Sequence, residues 1–300
     1  MLDNKNTKIG GAEFKNIKDS NVNIGSVNTS VTAKGDVVGG DKITHYYFHS
    51  EVVQASPPLS YEPETIVIPE GSFIMGSDYG EPNEAPQHCV ELLQYRIGKY
   101  PVTNWQYVEF TRQTGRVVDS ALLWDGNRPA QDKLNHPVTG VTWYEAVAYC
   151  EWLSEQTGRR YILPSEAQWE KAARTIDGRL YPWGNDWQKD RCNTSEEFTA
   201  VDAFPVQNDY GCFDMVGNAR EWTTTLWGES PQMPDPKFSS KWQNDGRDNL
   251  NAPKTTRRIY RGGRLENFID YRCSLRGAYL PDKSGPKRDR HSFRVVLLPI

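Results

Sequence analysis

The chain lacks any long apolar run. No stretch approaches the roughly eighteen consecutive apolar residues that a membrane-spanning helix requires, so no helical bilayer crossing is expected. It also lacks a strong charge of either sign: 35 Lys and Arg against 39 Asp and Glu leave a formal net charge of −4 over 300 residues. That balance gives no electrostatic ground for nucleic acid or an anionic membrane as a partner. No pair among the five cysteines (Cys89, Cys150, Cys192, Cys212, Cys273) has CxxC spacing, and their number is odd. The opening residues, Met1-Leu2-Asp3-Asn4-Lys5-Asn6, carry no apolar run of the secretory kind. Together these absences point to reduced thiols in a cytoplasm, with Cys150, on an apolar helical face, as a core residue. Histidine is scarce as well. His45 and His49 are four apart but lie in a β-like stretch with no third ligand, and His88 and His136 fall in loops beside Gln87 and Pro137. These histidines read as solvated or locally hydrogen-bonded.

What is present divides unevenly. Residues 1–50 contain no Trp and no Pro, and alternate small β-formers with Asn, Asp, Ser and Gly, as in Val22-Asn23-Ile24-Gly25 and Val37-Val38-Gly39-Gly40-Asp41-Lys42-Ile43. Period two broken by turn residues predicts short strands. Fifty such residues bury too little apolar surface to stand alone. They are expected to act as a β-rich oligomerisation or docking tail, pairing with copies of themselves or with a partner, or else to stay unfolded. Residues 51–64, with Pro57 and Pro58, read as a linker, and residues 65–300 as one domain. Within it a strand is expected at Ile66-Val67-Ile68. Helices are expected from Asn104 to about Thr114 with Thr103 as N-cap, from Trp143 to Gln156 with Thr142 as cap and Glu145 closing a capping box, and from Ser165 to Arg174 with Gln168 at the third position. Residues 229–257 are polar and read as a surface insertion or mobile loop. Closing strands are expected at residues 258–261 and 292–297.

An ordered series of motifs runs through residues 65–300. It opens with Ile68-Pro69-Glu70-Gly71-Ser72-Phe73-Ile74-Met75-Gly76-Ser77, Pro101-Val102-Thr103-Asn104 and Pro137-Val138-Thr139-Gly140-Val141-Thr142-Trp143. It continues with Leu163-Pro164-Ser165-Glu166-Ala167-Gln168-Trp169-Glu170, Tyr181-Pro182-Trp183-Gly184 and Asp214-Met215-Val216-Gly217-Asn218-Ala219-Arg220-Glu221-Trp222. Arg261-Gly262-Gly263 and Phe293-Arg294-Val295-Val296 close it. The series resembles the formylglycine-generating enzyme (sulfatase-modifying factor) family over about 235 of the 300 residues. The resemblance implies an α+β, C-type-lectin-like fold with a small twisted antiparallel sheet, two to three helices and much irregular loop. Three activities share that scaffold: copper-dependent oxidation of a cysteine to formylglycine, non-haem iron chemistry as in ergothioneine-type sulfoxide synthases, and ligand display as in the variable proteins of diversity-generating retroelements. The C-terminal stretch, Arg272-Cys273-Ser274-Leu275-Arg276 and Pro281-Asp282, looks like the framework of the variable proteins. Gly263, however, is followed by Arg264-Leu265, where that group commonly has Ser-Trp.

By the same resemblance, the family's two redox cysteines fall at Asn267 and Arg272. The copper route needs two thiolates to hold a soft Cu(I) ion, and neither residue supplies one. Cys273 is adjacent but has no partner nearby in sequence. An iron site would need a facial cluster of histidines and carboxylates, which is not evident, so no redox cofactor is expected. Structural Ca²⁺ is the better case. By resemblance Asp214 and Glu221 would give side-chain oxygens to it, and Gly217 and Ala219 carbonyls, a hard-oxygen set that suits the ion; the alternative is that Glu221 only caps its loop through hydrogen bonds. A second family site would begin at Asn193 and Thr194, but Ser195–Val201 is shortened where its later ligands fall. The expected ligand-facing surface is the loop 264–291: Arg264, Glu266, Asn267, Phe268, Asp270, Tyr271 and Tyr279, extended by Lys283, Lys287, Asp289 and His291. Such a mix of rings, charges and amides suits adaptable recognition of a protein or peptide; the alternative is an ordinary solvated loop. The function expected is therefore non-catalytic recognition, as a sensor or adaptor. The segment Gly35-Asp36-Val37-Val38-Gly39-Gly40-Asp41-Lys42-Ile43 resembles N-terminal segments of bacterial conflict (defence) and signalling proteins. The competing expectation is a metal-dependent oxidase or sulfoxide synthase with another ligand arrangement.

Overall fold

A computed structural model describes residues 58–117, 122, 124–238, 241–243, 245–263, 271–285 and 290–299 in full, and the backbone of five strands within residues 1–57. The chain divides into two compact units, with the boundary between Pro57 and Pro58.

In the first unit, β1 (Lys8–Ile9) and β2 (Ala12–Glu13) form a hairpin. β3 (Ser20–Ile24), β4 (Val27–Val38) and β5 (Asp41–Val52) form an antiparallel sheet with β4 central. β4 and β5 pair without interruption from Val27 opposite Val52 to Val38 opposite Asp41. The strands are longer than the short pieces expected, because Gly35 and Asp36 stay in the ladder, opposite Thr44 and Ile43.

The second unit begins with β6 (Thr65–Ile68) and the hairpin of β7 (Gly71–Met75) and β8 (His88–Leu92), followed by β9 (Tyr95–Gly98). Three helices follow: α1 (Asn104–Thr114), α2 (Trp143–Thr157) and, after the two-residue β10 (Tyr161–Ile162), α3 (Glu166–Arg174). Each starts at the residue its sequence predicts. Thr103, Thr142 and Ser165 accept from the third helical amide while Gln106, Glu145 and Gln168 reach back to the cap, so two orphan donors are satisfied at each start. Gly115 and Gly158 end α1 and α2 in the left-handed conformation.

The remaining strands are β11 (Gly217–Gly228), β12 (Arg257–Gly263), β13 (Arg276–Tyr279), β14 (His291–Ser292) and β15 (Val296–Leu297). They build two four-stranded sheets, ordered β10-β15-β9-β6 and β13-β12-β11-β14, antiparallel except for the β11–β14 pair. The single closing strand expected over 292–297 is two strands in different sheets. Arg294 lies between them, and its guanidinium enters the core. No strand or helix occurs among the described residues between β11 and β12. The larger apolar core gathers Tyr107, Phe110, Trp143, Tyr149 and Trp222 with Cys150; the smaller packs Trp169 and Cys273 beside Ile68 and Ile97. Among the described residues no helix is long and apolar enough to cross a membrane.

Candidate functional site

α3 carries Glu166, Glu170 and Arg174 at i, i+4 and i+8, the spacing that stacks side chains on one face of a helix. All three are buried, against the usual rule for charged residues. The reason is Arg261, from β12. Its Nη1 donates to Glu166 at 2.6 Å and its Nη2 to Glu170 at 2.7 Å and to the Cys273 carbonyl. Arg174 donates to the other Glu170 oxygen at 2.7 Å, and Arg276, from β13, to the other Glu166 oxygen at 2.5 Å. Burial alone would raise the Glu170 carboxyl. Arg261, Arg174 and the Gly76 amide outweigh it and hold the group below its ordinary value.

Arg261, Arg272 and Arg276 bracket residues 264–270 in sequence. Arg272 donates to Glu84 at 2.6 Å, and Glu84 also accepts from the Glu81 amide at 3.0 Å. The position that by resemblance would hold a redox thiol therefore holds a guanidinium engaged by a buried carboxylate. Its neighbour Cys273 is fully buried, and burial pushes its thiol up to about 12. It is a core thiol and not a poised thiolate. Gly262 and Gly263 allow β12 to end here: both have positive φ, and a Cβ would come within 2.6 Å of the Met215 carbonyl at Gly262 and 2.3 Å of Arg220 Cγ at Gly263.

The expected ligand surface separates into parts. Arg264, Glu266, Asn267, Phe268, Asp270, Lys287 and Asp289 lie outside the described residues. Lys283 is exposed, close to Asp282. Tyr279 is half-buried against the larger core. Two members are corrected. Tyr271 is buried with Tyr181, Cys192 and Val216, where its ring adds to an aromatic cluster through Trp187 at 5.3 Å. His291 is fully buried beneath Trp222, Tyr260 and Tyr279 at ring distances of 4.2, 4.8 and 5.4 Å. Burial, with Arg220 nearby, pushes its imidazole down to about 3, so it is a neutral core residue and not a surface group.

At the expected calcium loop the side chains contact one another. Both Glu221 oxygens accept from Arg294, at 2.6 and 2.7 Å, and Trp169 Nε1 donates to one of them at 2.9 Å. The cation beside Glu221 is thus a guanidinium. Asp214 has positive φ and accepts from Asn218 at 2.7 Å, and burial pushes its carboxyl up to about 7. Gly217 and Ala219 are β11 residues in this arrangement. Of the two expected carboxylates, Glu221 is thus engaged by Arg294 and Asp214 by Asn218. Asn193 instead turns its own loop, accepting from Ser195 and donating to the Glu197 carbonyl at 2.8 Å. Among the described residues no cluster of three or more His, Cys, Asp or Glu could hold a metal. His88 is locally hydrogen-bonded, as expected: Nδ1 donates to the Pro86 carbonyl at 2.7 Å and Nε2 accepts from the Trp242 amide at 2.8 Å.

The buried ion-pair network is absent from the sequence-based expectations. One signal for it was available, the Glu170/Arg174 pair at i, i+4. Nothing local pairs Glu84 with Arg272.

Comparisons with known proteins follow the same lines. The family model described as "Sulfatase-modifying factor enzyme 1-like domain" matches residues 50–297. Inactive C-alpha-formylglycine-generating enzyme 2 of Bos taurus is 30% identical over 267 residues, covering 70% of this chain and 87% of that protein. The formylglycine-generating enzyme of Thermomonospora curvata is 28% identical, covering 73% of this chain and 89% of that protein. Relatives named as the enzyme and relatives named as inactive thus both match. Among solved structures, PvdO from Pseudomonas aeruginosa aligns with a TM-score of 0.61 at 26% identity, covering 80% of this chain and 96% of that one. Variable protein 1 of Treponema denticola aligns with a TM-score of 0.55 at 19% identity, covering 89% and 99%, a likeness of fold.

Proposed function

Because the chain belongs to the sulfatase-modifying factor enzyme 1-like family, we propose that it is a non-catalytic member that recognises a protein or peptide through the surface around residues 264–270 and 279–289. The observation that carries this reading is Arg272, a guanidinium in ion pair with buried Glu84, at the position where the family resemblance would put a redox thiol. A guanidinium cannot be oxidised to a disulfide partner or bind Cu(I). Arg264, Phe268 and Asp270 supply the contacts, with Lys283 at the rim, while Tyr271 and His291 support them from the core. The β3–β4–β5 sheet assembles chains or docks a partner, since a three-stranded sheet offers strand edges for pairing. A sensor or adaptor in a bacterial defence or signalling system is the setting that suits both parts.

Incubation with a cysteine-containing sulfatase peptide and copper is expected to yield no formylglycine by mass spectrometry; its appearance would establish the oxidase reading instead. Phe268→Ala with Asp270→Ala is expected to remove partner binding with little change in melting temperature. Retained binding would place recognition elsewhere.

A further inference from the structure

A cavity of about 20 Å³ lies between the segment 84–88, Trp242 and the chain leading into β13. Its lining residues carry four buried polar atoms with no hydrogen-bond partner: Glu84 Oε2, Ser274 Oγ, and the Nε atoms of Arg261 and Arg276. Glu84, Ser274 and Arg261 are each at least nine-tenths buried. Buried polar groups are almost always paired, and a void with several of them unpaired calls for a bound species.

Size and charge identify that species. The volume exceeds the roughly 10–15 Å³ that one water needs. The lining holds three carboxylates, Glu84, Glu166 and Glu170, and three guanidiniums, those of Arg247, Arg261 and Arg276. His88, which donates through one nitrogen and accepts through the other, adds no charge. The formal sum is zero, so the cavity favours a neutral guest. A halide would face Glu84 Oε2, and a cation would face the guanidiniums.

We infer that the cavity holds one ordered water that bridges Glu84 and Ser274. It donates to Glu84 Oε2 and exchanges a hydrogen bond with Ser274 Oγ, and either Nε–H can donate to it. The bridge ties the segment 81–88 to the chain between residue 271 and β13. Together with the Arg272–Glu84 ion pair it fixes the chain that leads from residue 271 into β13.

A crystal structure of the full chain tests this directly. The expected result is a water peak within hydrogen-bond distance of Glu84 and Ser274. An empty cavity, or an anomalous peak there after a bromide soak, would overturn the inference. Hydrogen exchange of Ser274→Ala, which removes one oxygen and no apolar contact, is the second arm. Amides 272–276 are expected to exchange several-fold faster, while those of α1 keep their protection. Unchanged exchange at 272–276 would show that the water bridges nothing.

Discussion

Glu170 stands between two guanidiniums at 2.7 Å each and accepts the Gly76 amide at 2.8 Å. Removing one partner of such a buried set leaves uncompensated charge on the others. Glu170→Gln is therefore expected to cost about 3–5 kcal/mol, read from denaturant unfolding at neutral pH. The pH dependence follows from the depressed carboxyl. Its stabilisation is fully present above the unfolded value of about 4.3 and is lost as pH falls through the lower folded value. Acid titration of Glu170→Gln should accordingly show a shallower loss of stability below that point than the parent chain. Asp214 has the opposite sign. Its carboxyl, pushed up to about 7 mainly by burial, contributes stability that is present below about 3.9 and lost as pH rises toward 7. Asp214→Asn, which keeps an oxygen for Asn218, is expected to be more stable than the parent at pH 8, with the gain vanishing near pH 4. A gain independent of pH would show that Asp214 is already compensated.

At the scale of elements, the helix starts are the most autonomous features. Thr142 caps α2 and accepts from the Glu145 amide at 3.2 Å, while Glu145 returns a carboxylate oxygen to the Thr142 amide at 2.7 Å. Thr142→Ala should lower stability by about 0.5–2 kcal/mol, seen as a lower urea midpoint at unchanged slope. These caps were legible because a capping box is written in four consecutive residues. β11 was not legible. It is buried on both faces and holds Thr223, Thr224 and Thr225 together with Asn218, Arg220 and Glu221, so neither alternation nor an apolar run marks it. Glu221, in the same strand, reads as a loop ligand in the sequence, and its guanidinium partner Arg294 comes 73 residues later in the chain. Tyr271 and His291 were misplaced for a related reason. Residue type alone does not tell which rings of a loop turn inward.

For the whole molecule, the two units invite separation. Pro57 and Pro58 mark the division, and the fold built from residues 58–299 contains both apolar cores described above. Deleting residues 1–57 is expected to leave a folded species of lower mass per particle by light scattering, with the melting of the remaining unit little changed. Equal particle mass in both forms would remove assembly from the role of the tail. Trp169 carries a further consequence. Its indole donates to Glu221 while the Arg261 guanidinium lies 5.2 Å from its ring, so one chromophore touches both buried charge clusters. Because Coulomb forces weaken slowly with distance in a poorly polarisable interior, the emission colour of Trp169 should register a change in either cluster. With nine other tryptophans in the chain, that signal is read as the difference in emission between the parent and Trp169→Phe.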